Sequence, residues 1–176
     1  IGYTGIRPEK GLSNRLIRCS RLMLSVRYLS AAIRNRPYKA INNNFGFTAP
    51  LFFDNKGYNY LNLNTGDDDL FLQKATPGKP VAVILHPKAT LRETHFGGLS
   101  RWFSERRFFS YTYKYYPAGV KAGIFTELLS RALFFASAIA CLVLLIPYVW
   151  IGASVLVVLR YLAVFFTISR ICVRLG

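Results

Sequence analysis

The sequence predicts a mixed α/β domain, followed by an interfacial helix and a hydrophobic helical hairpin. Three observations carry that expectation. Charge and hydrophobicity are segregated: all 8 acidic residues lie at or before Glu127, and only Arg131, Arg160, Arg170 and Arg174 carry charge beyond it. From Ala132 to Leu159 there is no charged side chain, a run longer than the roughly 20 apolar residues that cross a hydrocarbon core. Upstream, a long helical pattern alternates with short apolar runs punctuated by Gly, Pro and Asn. The chain has 176 residues, is 52% hydrophobic, and still carries a formal charge of +15. It therefore reads as a basic aqueous or surface-bound part followed by a membrane part, in three segments: 1–98, 99–121 and 122–176.

Residues 12–36 have the periodicity of a helix, with Ser13 as N-cap. Leu16, Ile17, Met23, Leu24, Leu29 and Ile33 supply the apolar positions, and Arg15, Arg18, Arg21, Arg27 and Arg34 the polar ones. Such a helix has two readings, a packed domain helix with a solvated face or one lying on anionic lipid. The arginines form no base-reading or stacking module, and with the hydrophobic tail this argues against nucleic acid as a partner. Pro37-Tyr38 ends the helix, residues 40–47 form a short strand or loop, and Asp54 to Tyr58 form a turn. A short helix reaches Ala75, Thr76 to Pro80 turns, and Val81 to Leu85 has the β-branched character of a buried strand.

From Leu99 to Tyr116 aromatic and basic residues are mixed, which suits a helix at a membrane interface. Two spans are expected, about 127–147 and 151–170, broken near Pro147 and Gly152. Arg160 falls within the second span, where a charge is costly. It either faces the first helix or belongs to a re-entrant or displaced segment. Two buried helices of a soluble core are the alternative. Basic residues flank the spans on one side, which sets both flanks in the cytoplasm. The chain opens Ile1-Gly2-Tyr3, without Met, and reads as a fragment of a longer protein. Neither His86 nor His95 has a second ligand at workable spacing, and Cys19, Cys141 and Cys172 have no metal-ligand spacing.

The most informative stretch is Gly66-Asp67-Asp68-Asp69-Leu70-Phe71. Three adjacent carboxylates in so basic a chain imply a cation, a helix N-terminus or a proton-transfer task. The order Pro37 to Asn44, Leu51-Phe52-Phe53-Asp54-Asn55-Lys56-Gly57-Tyr58, the acidic run, Trp102 to Phe109 and then apolar helices resembles the C-terminal half of a membrane-bound family 2 glycosyltransferase. The resemblance is to the bacterial branch whose acidic motif reads GDDDLF. It implies part of a GT-A domain, an α/β fold, in segment 1–98, and an inverting transfer from a nucleotide-diphospho-sugar to a glycan or lipid-linked acceptor. The place implied is the bacterial inner membrane, among its lipids, with the catalytic part cytoplasmic.

On this resemblance Asp67 stands at the base position, with Asp68 and Asp69 tuning it, orienting the acceptor or capping the helix. Asn44 is the retained residue of a G-R-N-like segment. Glu105, Arg106 and Arg107 fall on the QxxRW-like segment, where Glu105 replaces Gln and Phe108 occupies the Arg position. A rival register uses Arg101-Trp102, with Trp102 as an interfacial or sugar-stacking residue. The family's Mg²⁺ or Mn²⁺ is held by a DxD segment expected upstream of Ile1, so no metal ligand is expected in this chain, and the chain alone is expected to be inactive. A non-catalytic membrane-anchored module binding anionic lipid or polysaccharide is the alternative function.

Overall fold

The computed structural model describes residues 1–41, 44–58, 67–95, 97–143 and 148–175, with Asp67, Phe108, Phe109 and Leu142 described by backbone only. The protein is mostly helical and divides into two compact units, Ile1–Tyr116 and Pro117–Gly176. The division cuts the expected 99–121 interfacial segment. Pro117 disfavours helical backbone at the residue before it, and Tyr116 is accordingly extended at φ −67°, ψ 146°.

In the first unit, helix α1 (Leu12–Ile33) packs against strand β1 (Thr4–Ile6) and helix α4 (Gly98–Ser110). Its buried face is Asn14, Ile17, Leu22, Ser25, Tyr28, Leu29 and Ala32, so Leu16 and Ile33, expected in the apolar stripe, are instead exposed. Ser13 is not the N-cap. The helix starts one residue before it, after Gly11 at φ 111°, and no side chain caps it. Asn14 organises the entry instead, accepting from the Glu9 N–H at 3.0 Å and donating to the Arg7 carbonyl at 3.2 Å.

The helix ends before Pro37, at a left-handed Asn35 (φ 55°). The Asn35 N–H donates to Ala32 O and the Arg36 N–H to Ala31 O, the two bonds of a Schellman closure.

The α/β expectation is met only in a small sheet. β1 pairs in parallel with β2 (Leu91–Glu93), Thr4 opposite Leu91. Val81–Leu85 is not a buried strand. It contributes one parallel bridge, Gly2 to Ile84, and leaves Ile84 53% exposed. Its partner is the chain start, with the Ile1 amine donating to Ala82 O and the Ile84 N–H to Ile1 O. Residues 85–90 then leave the ladder, taking a 3₁₀ turn at Pro87–Ala89, before β2 rejoins the same edge.

The 40–47 segment forms no named strand among its described residues; it leads into a short helix α2 (Ala49–Asp54) not anticipated from sequence. The expected turn follows, with Lys56 and Gly57 at φ 63° and 55°. Helix α3 (Asp67–Ala75) stops as expected, and Pro77 and Gly78 (φ 72°) occupy the turn positions that suit them.

In the second unit, α5 (Ala118–Val143) and α6 (Val149–Leu175) pack on one another, and both are long and apolar enough to cross a membrane. Helix α6 begins after a left-handed Tyr148 (φ 66°). Gly152, expected at the break, lies inside α6, and Pro147 is outside the described residues.

Gly57→Ala would place a Cβ 2.7 Å from the Phe52 ring at a left-handed φ. It should destabilise the first unit by about 1–3 kcal/mol, whereas Gly46→Ala enters open space and should stay within about 0.5 kcal/mol. Thermal unfolding of the full chain in detergent tests the pair. For topology, reporter fusions after Lys121, at Trp150 and after Arg174 should read one side, the other, and the first again. A Trp150 fusion on the same side as the others would rule out two spans.

Candidate functional site

Helix α3 opens at Asp67, and its next two carboxylates turn into the protein: Asp68 is 7% exposed and Asp69 1%. An ionised carboxylate in that position needs donors, since burial without them costs several kcal/mol. Asp69 has three. Lys39 Nζ donates to Oδ2 at 2.6 Å, the Ala40 N–H to Oδ1 at 3.1 Å, and the Tyr116 hydroxyl to Oδ2 at 2.5 Å. Gln73, one turn further along α3, adds a bond from Nε2 to the Tyr38 carbonyl at 2.7 Å. This geometry gives Asp69 a structural task. The side chain of Asp67 lies outside the described residues.

Phe71, on the following turn, is buried at the centre of an aromatic cluster. Its ring centroid is 4.9 Å from Phe47, 5.6 Å from Phe52 and 5.5 Å from Tyr58, and Phe47 stacks on Phe52 at 5.2 Å. Gly57 belongs to this arrangement because a side chain there would strike Phe52. The segment from Phe52 to Tyr58 therefore packs beside the acidic helix, and its Gly57 is required by ring packing as well as by φ.

Asn44 is a brace between segments. Its Nδ2 donates to Tyr3 O and Ala89 O, both at 2.9 Å, and its backbone carbonyl accepts from the Gly2 N–H at 2.9 Å.

On α4, Glu105 is held by Arg101 Nε at 3.0 Å and stands 3.5 Å from His95 Nδ1, whose other ring nitrogen faces Gly98 O at 3.2 Å. Arg106 donates to Ser20 Oγ of α1 at 2.8 Å and lies 5.2 Å over the Trp102 ring. Arg107, exposed, is about 100° further round the helix, so the two arginines point in different directions. Phe108 has no described side chain.

The predicted residues thus fall into separate settings. Asp68 and Asp69 lie on α3; on α4 Arg106 pairs with Trp102 while Glu105 pairs with Arg101 and His95; and Asn44 holds Gly2 and Tyr3, just before β1.

No protein-family model, curated protein or solved structure matches the chain.

Among the described residues, no group of three or more His, Cys, Asp or Glu is placed to hold a metal ion.

Sequence reasoning did not name Lys39 and Tyr116 as partners of the acidic run. One signal was present: three crowded carboxylates ask for a cation, and Lys39 directly follows the Pro37-Tyr38 helix stop. Tyr116 gave no signal, because a hydroxyl 47 positions away is indistinguishable from its tyrosine-rich neighbours.

Burial, then the neighbouring Asp69 carboxylate, push the Tyr116 hydroxyl well above the usual tyrosine range. Burial likewise pushes Tyr28, which donates to Gly2 O at 3.4 Å, up to about 12. Both keep their protons in the fold at pH values where the unfolded chain, near pKa 10, has lost them. Above about pH 10 the unfolded state therefore binds fewer protons, and stability falls as pH rises.

Tyr116→Phe should cost about 1–3 kcal/mol near neutral pH and make the decline above pH 10 shallower. Asp69→Ala, which strands Lys39, should cost about 3–5 kcal/mol. Unfolding of the full chain in detergent between pH 7 and 11 measures both. An unchanged alkaline slope in Tyr116→Phe would rule out this origin of the pH dependence.

Proposed function

We propose that the chain is the acceptor-side, membrane-anchored part of an inverting glycosyltransferase that uses a nucleotide-diphospho-sugar. The observation that carries the reading is the fixation of the acidic helix start. Asp69, two residues from Asp67, is tied to Lys39, Ala40 and Tyr116, so the backbone carrying Asp67 is held in place. A general base needs that kind of fixed support.

In this reading an acceptor hydroxyl gives its proton to the Asp67 carboxylate. The hydroxyl oxygen attacks the anomeric carbon from the face opposite the leaving group, and the nucleoside diphosphate departs with the bonding electrons. Arg106 or Arg107, which point in different directions from α4, serves the diphosphate, Trp102 stacks on sugar or sits at the interface, and the divalent cation is held, on this reading, by a donor-binding segment outside this chain. The two apolar helices support placement at a membrane, and the bacterial inner membrane with the first unit cytoplasmic is part of the proposal.

A second reading, a non-catalytic anchor module, is favoured by one observation. Just before the apolar helices, Lys114 lies over the exposed rings of Tyr111 and Tyr115, at 3.7 and 4.8 Å. A basic aromatic turn of this kind suits an anionic lipid surface.

In the protein assayed together with whatever precedes Ile1 in its reading frame, Asp67→Asn should lower sugar transfer about 10²–10⁴-fold with donor affinity largely kept. Near-wild-type turnover would remove Asp67 from the base role. Changing Arg106 and Arg107 together to Ala should weaken donor binding while membrane attachment persists. Unchanged donor affinity with reduced binding to anionic vesicles would favour the anchor module.

A further inference from the structure

The second unit's helices carry Lys121, Glu127 and Arg131 on α5 and Arg160, Arg170 and Arg174 on α6; Arg170 and Arg174, near the end of α6, are exposed, and Glu127, Arg131 and Arg160 lie further along the apolar stretches. All three are half-buried, as are Ile124, Phe134 and Ala138 on α5 and Ala153, Val157, Val164 and Ile168 on α6, and the two helices pack on one another. The outward faces carry Phe125, Leu128, Leu129, Leu133 and Ile139, and opposite them Leu156, Leu159, Leu162, Phe165 and Phe166, all exposed. Apart from Arg170 and Arg174 near the end of α6, the charges thus lie on the half-buried side of the helices while large apolar side chains face outward, as expected for helices that cross a bilayer.

That side is not neutral. Arg131 pairs with Glu127 at 2.6 Å, and no acidic side chain occurs beyond Glu127 in the sequence. Arg160 therefore has no carboxylate partner among the described residues. Arginine cannot shed its proton to escape the cost.

Its position makes the cost high. Arg160 lies midway between Trp150 and Arg170 on α6, about 15 Å from each and so near the middle of a core about 30 Å thick. Its guanidinium lies 4.3 Å over the Phe134 ring and 5.2 Å over Phe135, which is 38% exposed. The ring faces compensate the cation in part and hold it at the margin of the helix pair, where an incoming helix can reach it.

We propose that Arg160 is the docking point for a separate membrane-spanning helix that carries an aspartate or glutamate near the bilayer midplane. A second copy of this chain does not meet the need, since its own helices have the same excess of positive charge. A lipid phosphate is at the wrong depth, about half a bilayer away, whereas a helix presents a carboxylate at any depth. The inference is independent of the transferase reading, because it uses only the second unit's charge pattern.

The test uses the full chain in neutral-lipid vesicles with a single-span polyleucine helix as probe, its association followed by resonance energy transfer. A probe with one Asp at its centre should associate about three- to thirty-fold more strongly than the all-leucine probe. Moving that Asp by one turn should reduce the preference. Arg160→Leu should abolish it and Arg160→Lys should keep it.

Equal association of the acidic and neutral probes with the wild-type chain overturns the proposal, as does a preference that survives Arg160→Leu. If anionic phospholipid removes the preference, a headgroup is the occupant and the proposal fails in that way. Should Arg160→Leu fail to insert, the comparison of probes on the wild-type chain still decides.

Discussion

A carboxylate almost wholly removed from water must be answered from inside the protein, and Asp69 is answered from three directions. Lys39 supplies charge, the Ala40 backbone supplies an N–H, and Tyr116 supplies a hydroxyl from the last residue of the first unit. Each partner sits on a segment with little regular structure of its own, so the bonds to Asp69 fix positions that helix propensity cannot. Around the same helix, Phe71 collects the rings of Phe47, Phe52 and Tyr58. One short helix thus organises its surroundings twice, with a polar clamp on one side and aromatic packing on the other. Losing the clamp would expose the cost of three adjacent acids, two of them buried, without the donors that make them tolerable.

What the sequence made legible follows from the range of the signal. The α3 helix and its stop at Ala75, the Pro77-Gly78 turn, the turn after Asp54 and the two apolar helices are all dictated by residues within a few positions of each other. Long-range features were not legible. Val81–Leu85 has the composition of a core strand, yet it lies on the edge of the chain start, with Ile84 half-exposed, because two short strands make too small a sheet to cover it. Ser13 looked like a cap until Asn14 took over the helix entry. Asn44 read as a binding residue, and its amide instead joins β1 to the excursion after Ile84.

The two units solve the problem of charge differently. In the first, a buried acid is met by donors of the same chain. In the second, the helices turn large hydrophobic side chains outward, keep Glu127, Arg131 and Arg160 half-buried, and set Arg160 of α6 over Phe134 of α5. That arrangement inverts the rule for proteins in water, where charge is outside and Leu and Phe are inside. It explains why exposure, unremarkable for the arginines of α1, marks the leucines and phenylalanines of α5 and α6.

The parallel pairing of the first few residues also constrains the order of synthesis. Thr4 cannot meet Leu91 until that residue, 87 positions later, has emerged, a wait of about 4–17 s at 5–20 residues per second. Tyr116 closes on Asp69 later still, one residue before the second unit begins. The first unit is therefore completed only as the greasy segment starts to leave the ribosome, and its folding overlaps the emergence of two helices long and apolar enough to cross a membrane. The two ends of the first unit are the last parts to be secured, so its closing bonds form while the apolar helices are already emerging.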